Sequence, residues 1–534
     1  MSRKSRERRM PDTIVGPAVF PWVEFGWWAG LAWMAFVALS YVHRSAPVNL
    51  LPVLNEFWPP GFPTLAALGR HLRGLAVGAG LLAGSLALGA WILGERFNRS
   101  ALGRLVIANA LGLGVVAYAV YLLGALGLYR TWILALLWAG LAGLFFWRLK
   151  PQLGALIENA LGELLVSLKA SSLLLVLPLL IMVAVAFLLA FVPEIFYDSH
   201  VYHLGVPRWY LLMGGIKEYP NLHANYPLTM SMLYLVGLAL SGDTAAKLVH
   251  WSCGVLIMLG LIAWSNEERR PRAGPWAALI FLSMPMVMWN WWSTGTDVGV
   301  SLFALAGAWC WFRFIDSPEE SADRSLLALA GIFGGLCFGS KLTAGLVMAL
   351  LPVFHLAWGI VARRAIRGVI RECFFMGVVS FAMALPWLIR AYIFTGNPVF
   401  PFGGSFFASI DPARMAHVYA ENRGMTPDSF WQWCRLPWRL AFEGGSSLSF
   451  PGPFVLAVFP VAAWGLFARK DVSTPMKMIF LLGLCGCLGV AAINRLTRYW
   501  LPYLAILVMP VGLICEEGAA TPFRRWAFHS LATP

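Results

Sequence analysis

Several ionisable side chains stand at the ends of apolar segments in this chain, and their types suit group transfer. In PEIFYDSHVYHL (193–204), Asp198, His200 and His203 follow directly on the apolar stretch 171–192. Asp297 stands in STGTDVG, Lys341 in GSKLTAG, Arg390 in PWLIRAYIFTGNPVFPF, and Arg495 and Arg498 in NRLTRYWLP. A carboxylate within hydrogen-bond reach of a hydroxyl can take its proton as the oxygen attacks. Lys and Arg held in a poorly hydrated pocket stabilise charge on a departing phosphate far better than they do in water. The pairing suits displacement of a phosphate from a sugar's anomeric carbon by a hydroxyl. On this reading Asp198 is the base, and Lys341, Arg390 and Arg498, in that order, are the partners of the leaving phosphate.

Each residue has an ordinary alternative. Asp198 and Asp297 both precede helical segments and could serve as N-caps. His200 and His203 lie close enough to share a ligand, but no third residue has metal-ligand spacing, so polar contacts at the interface are their reading and no metal or other cofactor is assigned. A divalent ion is compatible with the pattern without being required by it. Lys341, Arg390, Arg495 and Arg498 could instead snorkel to lipid headgroups. Gly339 and Gly345, flanking Lys341, suggest close packing there.

The elements that must position these residues are set by composition. The 534-residue chain is 59% hydrophobic and 12% charged, and it holds many apolar runs long enough to cross a hydrocarbon core of roughly 30 Å. Lipid offers no partner for backbone polar groups, and no alternating barrel pattern occurs, so the spans are helices and the fold class is all-α. About fourteen transmembrane helices are expected, one of them at 274–291. With the basic N-terminal segment MSRKSRERRMPD inside, the connections GERFNRS, RLKPQ, NEERRPRAG, FIDSPEESADRS, ARRAIRGVIRE and ARKDVSTPMK are cytoplasmic and, with the tails, hold more than half of the 40 Lys and Arg residues. That asymmetry is the positive-inside pattern, and it accounts for the net charge of +14 without nucleic acid. No short apolar region with a cleavage site follows the N-terminal segment, so no removable signal is expected. The eight cysteines are scattered with no ligand spacing and read as small packing residues.

This topology places Asp198, Asp297, Lys341, Arg390 and Arg498 on one outer face. It divides the chain into four N-terminal spans (1–150), a core (151–395) with an outer loop at 193–245, a second outer loop (396–452), C-terminal spans (453–515) and a cytoplasmic tail (516–534). Residues 227–241 are expected as a helix in or dipping into the outer interface. SFWQWCRLPWRLAF in the second loop has the Trp and Arg spacing of an outer interfacial helix, and GALIENALGELLVSLKA reads as its inner counterpart.

At these residues the chain resembles the GT-C superfamily of membrane glycosyltransferases, near the protein O-mannosyltransferases and the lipid A aminoarabinose transferases. Those families have an apolar core helix and then an outer loop with an acidic motif whose Asp is the proposed base; Asp198 matches it, with Ser199 where a Glu often follows. Their Pro-Pro-Leu before a juxtamembrane helix is matched in part by Tyr226, Pro227 and Leu228, and His223 stands as the nearby substitute for a cation. GTDVGVSLFAL, GGLCFGSKLTAG and RYWLPYLAIL resemble, in order, a large bacterial branch of such enzymes. The resemblance implies a GT-C-like core in a bacterial inner membrane with its site facing the periplasm or exterior. It also implies a polyprenyl-phosphate-linked sugar donor and a hydroxyl acceptor on a glycan, lipid or protein, with membrane lipids as surroundings. His200, His203, His223, Tyr226, Asp297, Lys341, Arg390, Arg495 and Arg498 are the expected substrate-binding set around Asp198. The absence of a soluble α/β domain or an Asp-X-Asp pair fits a lipid-linked rather than a nucleotide donor, and a single inverting displacement is expected. The alternatives are a transporter or flippase, for which repeated halves and mid-membrane ionisable groups would be expected, and a non-catalytic lipid-binding scaffold.

Overall fold

The computed structural model describes residues 21–44, 64–97, 99–148, 153–219, 222–318, 323–403, 406–407, 427–442, 451–494 and 496–518. All regular elements among them are helical. The N-terminal part supplies α1 (Pro21–Arg44), α2 (Leu65–Leu93), α3 (Ala101–Ala125) and α4 (Thr131–Arg148). Next come α5 (Gly154–Ala170) and α6 (Leu173–Leu189), then a π-helical turn at Ser199–His203, α7 (Gly205–Met213) and α8 (Thr229–Leu240). The central part is α9 (Asp243–Glu267), α10 (Ala273–Leu282), α11 (Pro285–Trp292), α12 (Asp297–Ile315) and α13 (Ser325–Ser340). It is followed by α14 (Gly345–Val361), α15 (Ile366–Thr395), α16 (Phe430–Phe442), α17 (Phe454–Ala468), α18 (Thr474–Ile493) and α19 (Leu501–Gly518).

Nine helices among the described residues are long and apolar enough to cross a membrane: α2, α3, α4, α9, α12, α14, α15, α18 and α19, the α14 and α19 spans each including a preceding 3-10 turn. Shorter apolar helices, including α6, α13 and α17, fill other expected span positions, so the chain is an all-α polytopic membrane protein. The expected single span at 274–291 is corrected: it is two helices, α10 and α11, separated at Ser283 and Met284. Pro285 has no N–H to continue the ladder of α10 and instead opens α11, a position proline suits.

The helix α12 is the axis of the molecule. Every residue in it is buried, and it packs against α9, α13 and α19. A helix apolar around its whole circumference can be stable only when surrounded. It begins at Asp297 and carries Arg313 in its last turn, so this one element fixes two ionisable positions at its opposite ends.

The helix expected at 227–241 exists as α8, and it is enclosed by protein. Nearly all its residues are buried among α2, α3, α4, α7, α9 and α13. TMSMLYLVGLAL has no polar face to offer to headgroups, which is why it is enclosed. Thr229 at its start donates 2.6 Å to the Gly339 carbonyl of α13; a side chain at Gly339 would meet Thr229 Oγ1 at 2.8 Å, so glycine there permits the approach. The α5 helix is fastened to the start of α3. Its Glu163 accepts from the backbone N–H of Ala101 at 2.8 Å and of Leu102 at 3.1 Å, and a carboxylate at a helix N-terminus satisfies donors left without intrahelical partners.

Candidate active site at the N-terminal end of the central helix

Two ion pairs meet where α12 begins. Lys341 follows the last residue of α13 in extended backbone and binds the carboxylate of Asp297, the first residue of α12. Arg498, in the 3-10 turn Thr497–Trp500 before α19, donates from Nη2 to Asp198 Oδ2 at 2.6 Å. Tyr499 is a shared wall: Lys341 Nζ lies 3.9 Å from its ring centroid and the Arg498 guanidinium 5.4 Å. The guanidinium also lies 5.5 Å from the ring of Phe196. Asp297 is 1% exposed and Arg498 9%, whereas the Asp198 side chain keeps 17% of its surface open. Buried charges of this kind persist only when paired and hydrogen-bonded.

His203 lies in the field of both pairs. Burial above all, then Lys341, pushes its imidazole well below its ordinary range against the pull of Asp297, with Arg498 and His250 adding to the push. It is therefore neutral near pH 7, and its Nδ1 is buried without a hydrogen-bond partner. The neighbouring Tyr202 stacks on His223 with ring centroids 4.9 Å apart. Burial, and then the carboxylate of Asp198, raise the Tyr202 phenol above its usual value.

The loops that carry the two acids are cross-linked by a residue outside the expected set. Glu194 Oε1 accepts from the N–H groups of Ile195 at 3.0 Å and Phe196 at 2.9 Å. Its Oε2 accepts from the N–H and the hydroxyl of Thr294, each at 2.6 Å. Burial pushes this carboxyl up, but the Thr294 and Phe196 donors and Lys247 outweigh it and hold it below its ordinary value. The segment leading to Asp297 has two further ties. Tyr234 donates to the Gly295 carbonyl, and His250 Nδ1 lies 2.6 Å from the Ser293 carbonyl while its Nε2 accepts from the Gly299 N–H at 3.3 Å. Lys247 donates to the carbonyls of Leu189 at 3.0 Å and Val192 at 2.6 Å, holding the outer end of α6. A sequence signal for the last two was present: Lys247 and His250, three apart in an otherwise apolar helix, lie on one face, where ionisable groups are expensive.

Other expected residues fall elsewhere. Arg390, 3% exposed, donates to the Tyr210 hydroxyl and to the carbonyls of Ala224 and Tyr226, binding the 222–226 segment to α7 and α15 instead of joining the two ion pairs. Tyr226 packs against that segment's own His223, with ring centroids 5.3 Å apart. His200 is exposed and its Nε2 lies 2.8 Å from the Glu194 carbonyl. Arg495 lies outside the described residues. Neither Asp198 nor Thr296, the residues standing at the N-cap positions, makes a side-chain capping bond. Among the described residues, no three His, Cys, Asp or Glu side chains are grouped as metal ligands. What the site offers is two cations, each matched to one carboxylate, around a neutral histidine and a tyrosine.

The fold and site define a polytopic helical membrane protein with a charged centre at the N-terminal end of a wholly buried helix. The chain belongs to the family described as a domain of unknown function, DUF8201, whose model matches residues 81–505. Among solved structures it is similar to the crystal structure of ArnT from Cupriavidus metallidurans bound to undecaprenyl phosphate, at 19% identity and a TM-score of 0.47. That match covers 66% of this chain and 62% of the other, so the chain spans less than two thirds of that structure's length. No curated protein matches the sequence.

Proposed function

We propose that the protein is a glycosyltransferase that takes a sugar from a polyprenyl-phosphate carrier at the outer membrane face and passes it to a hydroxyl acceptor. The carrying observation is the meeting of Asp198, Arg498, Asp297 and Lys341, drawn from four distant parts of the chain, in one partly enclosed place. The acceptor oxygen attacks the anomeric carbon while its proton passes to the Asp198 carboxylate. The bond from that carbon to the phosphate oxygen breaks, and its electron pair leaves with the polyprenyl phosphate. Arg498 and Lys341 stabilise the oxygen that gains charge, a contribution that grows as water is excluded. Asp198 suits the base because it is the more open of the two acids, and Asp297 suits the role of holding Lys341 in place. A single displacement of this kind inverts the anomeric centre.

The test is transfer of labelled sugar from a polyprenyl-phosphate donor by the purified protein in proteoliposomes. Asp198→Asn should lower turnover roughly a hundred- to ten-thousand-fold, the range of a lost general base, with the thermal unfolding midpoint little changed. Undiminished transfer by that variant removes Asp198 from the role.

A further inference from the structure

The resting structure poses a problem for the base. A carboxylate oxygen held against a guanidinium N–H is directed at that donor and not at an incoming hydroxyl. Asp198 is in that state, bonded through Oδ2 to Arg498 Nη2. The Nε of Arg498, on the same edge of the guanidinium as Nη2, is buried and has no hydrogen-bond partner. A phosphate binds such an edge through two parallel N–H···O bonds. Taking both Nε and Nη2 requires that Asp198 let go.

We propose that Asp198 and the donor's phosphate compete for the Nε–Nη2 edge of Arg498, so that seating the lipid phosphate is what frees the base. The inference rests on the reading of the site given under Proposed function. Lys341 is not part of the exchange, because its partner Asp297 is almost fully enclosed and would be left as an unpaired buried charge. The arrangement also serves the end of the reaction. Once Asp198 has taken the acceptor's proton it is neutral and does not contest Arg498; when the proton passes to solvent, the carboxylate returns to the guanidinium and helps to expel the polyprenyl phosphate.

The experiment is titration of undecaprenyl phosphate into the purified full-length protein in nanodiscs. Asp198→Asn should bind it about tenfold more tightly than the unaltered protein, the equivalent of one charge-assisted hydrogen bond released from competition. A merely structural role for the pair would move affinity the other way. Simple repulsion between Asp198 and the phosphate is separated by a second background. In Arg498→Gln the gain from Asp198→Asn should vanish, and a gain that persists there overturns the exchange. Asp198→Ser serves the same comparison should the Asn variant not fold. Equal or weaker binding by the Asp198 variants, with the unaltered protein binding well, also overturns the exchange while leaving the donor reading intact. Failure of the unaltered protein to bind undecaprenyl phosphate overturns both.

Discussion

Two buried charged clusters lie near the two ends of α12, its inner and outer ends on the proposed function, and are built on different rules. At the inner end, Glu372 of α15 accepts from Arg364 Nη1 at 2.7 Å and Nη2 at 3.1 Å, and from His355 Nε2 at 2.9 Å. His355 Nδ1 accepts in turn from Trp311 Nε1 at 3.2 Å, so both ring nitrogens of that histidine are used. At the outer end the ion pairs are flanked by polar atoms that find no partner: Ser199 Oγ beside Asp198, Thr296 Oγ1 beside Asp297, Ser340 Oγ beside Lys341, and His203 Nδ1. A saturated buried network specifies and stiffens a fold. Buried polar atoms left unmatched are uncommon in native proteins and call for a reason such as a ligand's presence. On the proposed function, the saturated Glu372 cluster serves the fold and the cluster around Asp198 and Asp297 serves a polar substrate.

That contrast can be broken by substitution at each end. Glu372→Ala strands Arg364 and His355 and should destabilise the protein by about 3–5 kcal/mol, as loss of one partner in a buried pair does. The drop would appear in thermal unfolding in detergent, while turnover per folded molecule stays near that of the unaltered protein. If turnover collapses in molecules that remain folded, the inner cluster is not merely structural. Lys341→Met should act in the opposite sense, lowering transfer roughly a hundred- to a thousand-fold, the scale of one lost transition-state donor. Its effect on the unfolding midpoint should be smaller than that of Glu372→Ala. Glu194→Gln lies between. The amide has one accepting oxygen, so its NH2 must face either the two Thr294 donors or the N–H groups of Ile195 and Phe196, which strands donors at about 1–3 kcal/mol. Transfer should fall about tenfold as the two acid-bearing loops lose their cross-link. Transfer equal to the unaltered enzyme would show that the cross-link does not position the acids.

The sequence shows that these ionisable residues stand at span ends, because hydropathy locates the spans. It does not show which cation meets which acid. Asp198 and Arg498 are 300 positions apart, and Arg390 and Arg498 look alike in sequence, each at the end of an apolar helix. Their fates differ because the 222–226 segment brings backbone carbonyls to Arg390, while Arg498 faces a carboxylate. The burial of α8 was hidden for a related reason. Its length is that of an interfacial segment, and only its packing against six other helices shows that it is enclosed.

His203 gives the finest measure of the contrast. Its imidazole is held well below the ordinary value of 6.5 by burial and by Lys341, with Arg498 and His250 acting the same way and Asp297 opposing. The unfolded chain therefore binds a proton at this residue at a pH where the folded protein does not. Stability then rises with pH across that window: it is complete above about 6.5 and is lost as the pH falls from there toward the folded-state value. His203→Gln keeps a polar side chain but cannot titrate. Between pH 7 and pH 5, the unfolding midpoint of the unaltered protein should fall further than that of the variant. His355 at the inner end accepts from Trp311 and lies against Glu372, so the same substitution there would break bonds at both ring nitrogens and lower the midpoint at every pH. Parallel pH profiles for the unaltered protein and His203→Gln would mean that the outer histidine is as fully accommodated as the inner one, and the distinction between the two clusters would lose its electrostatic support.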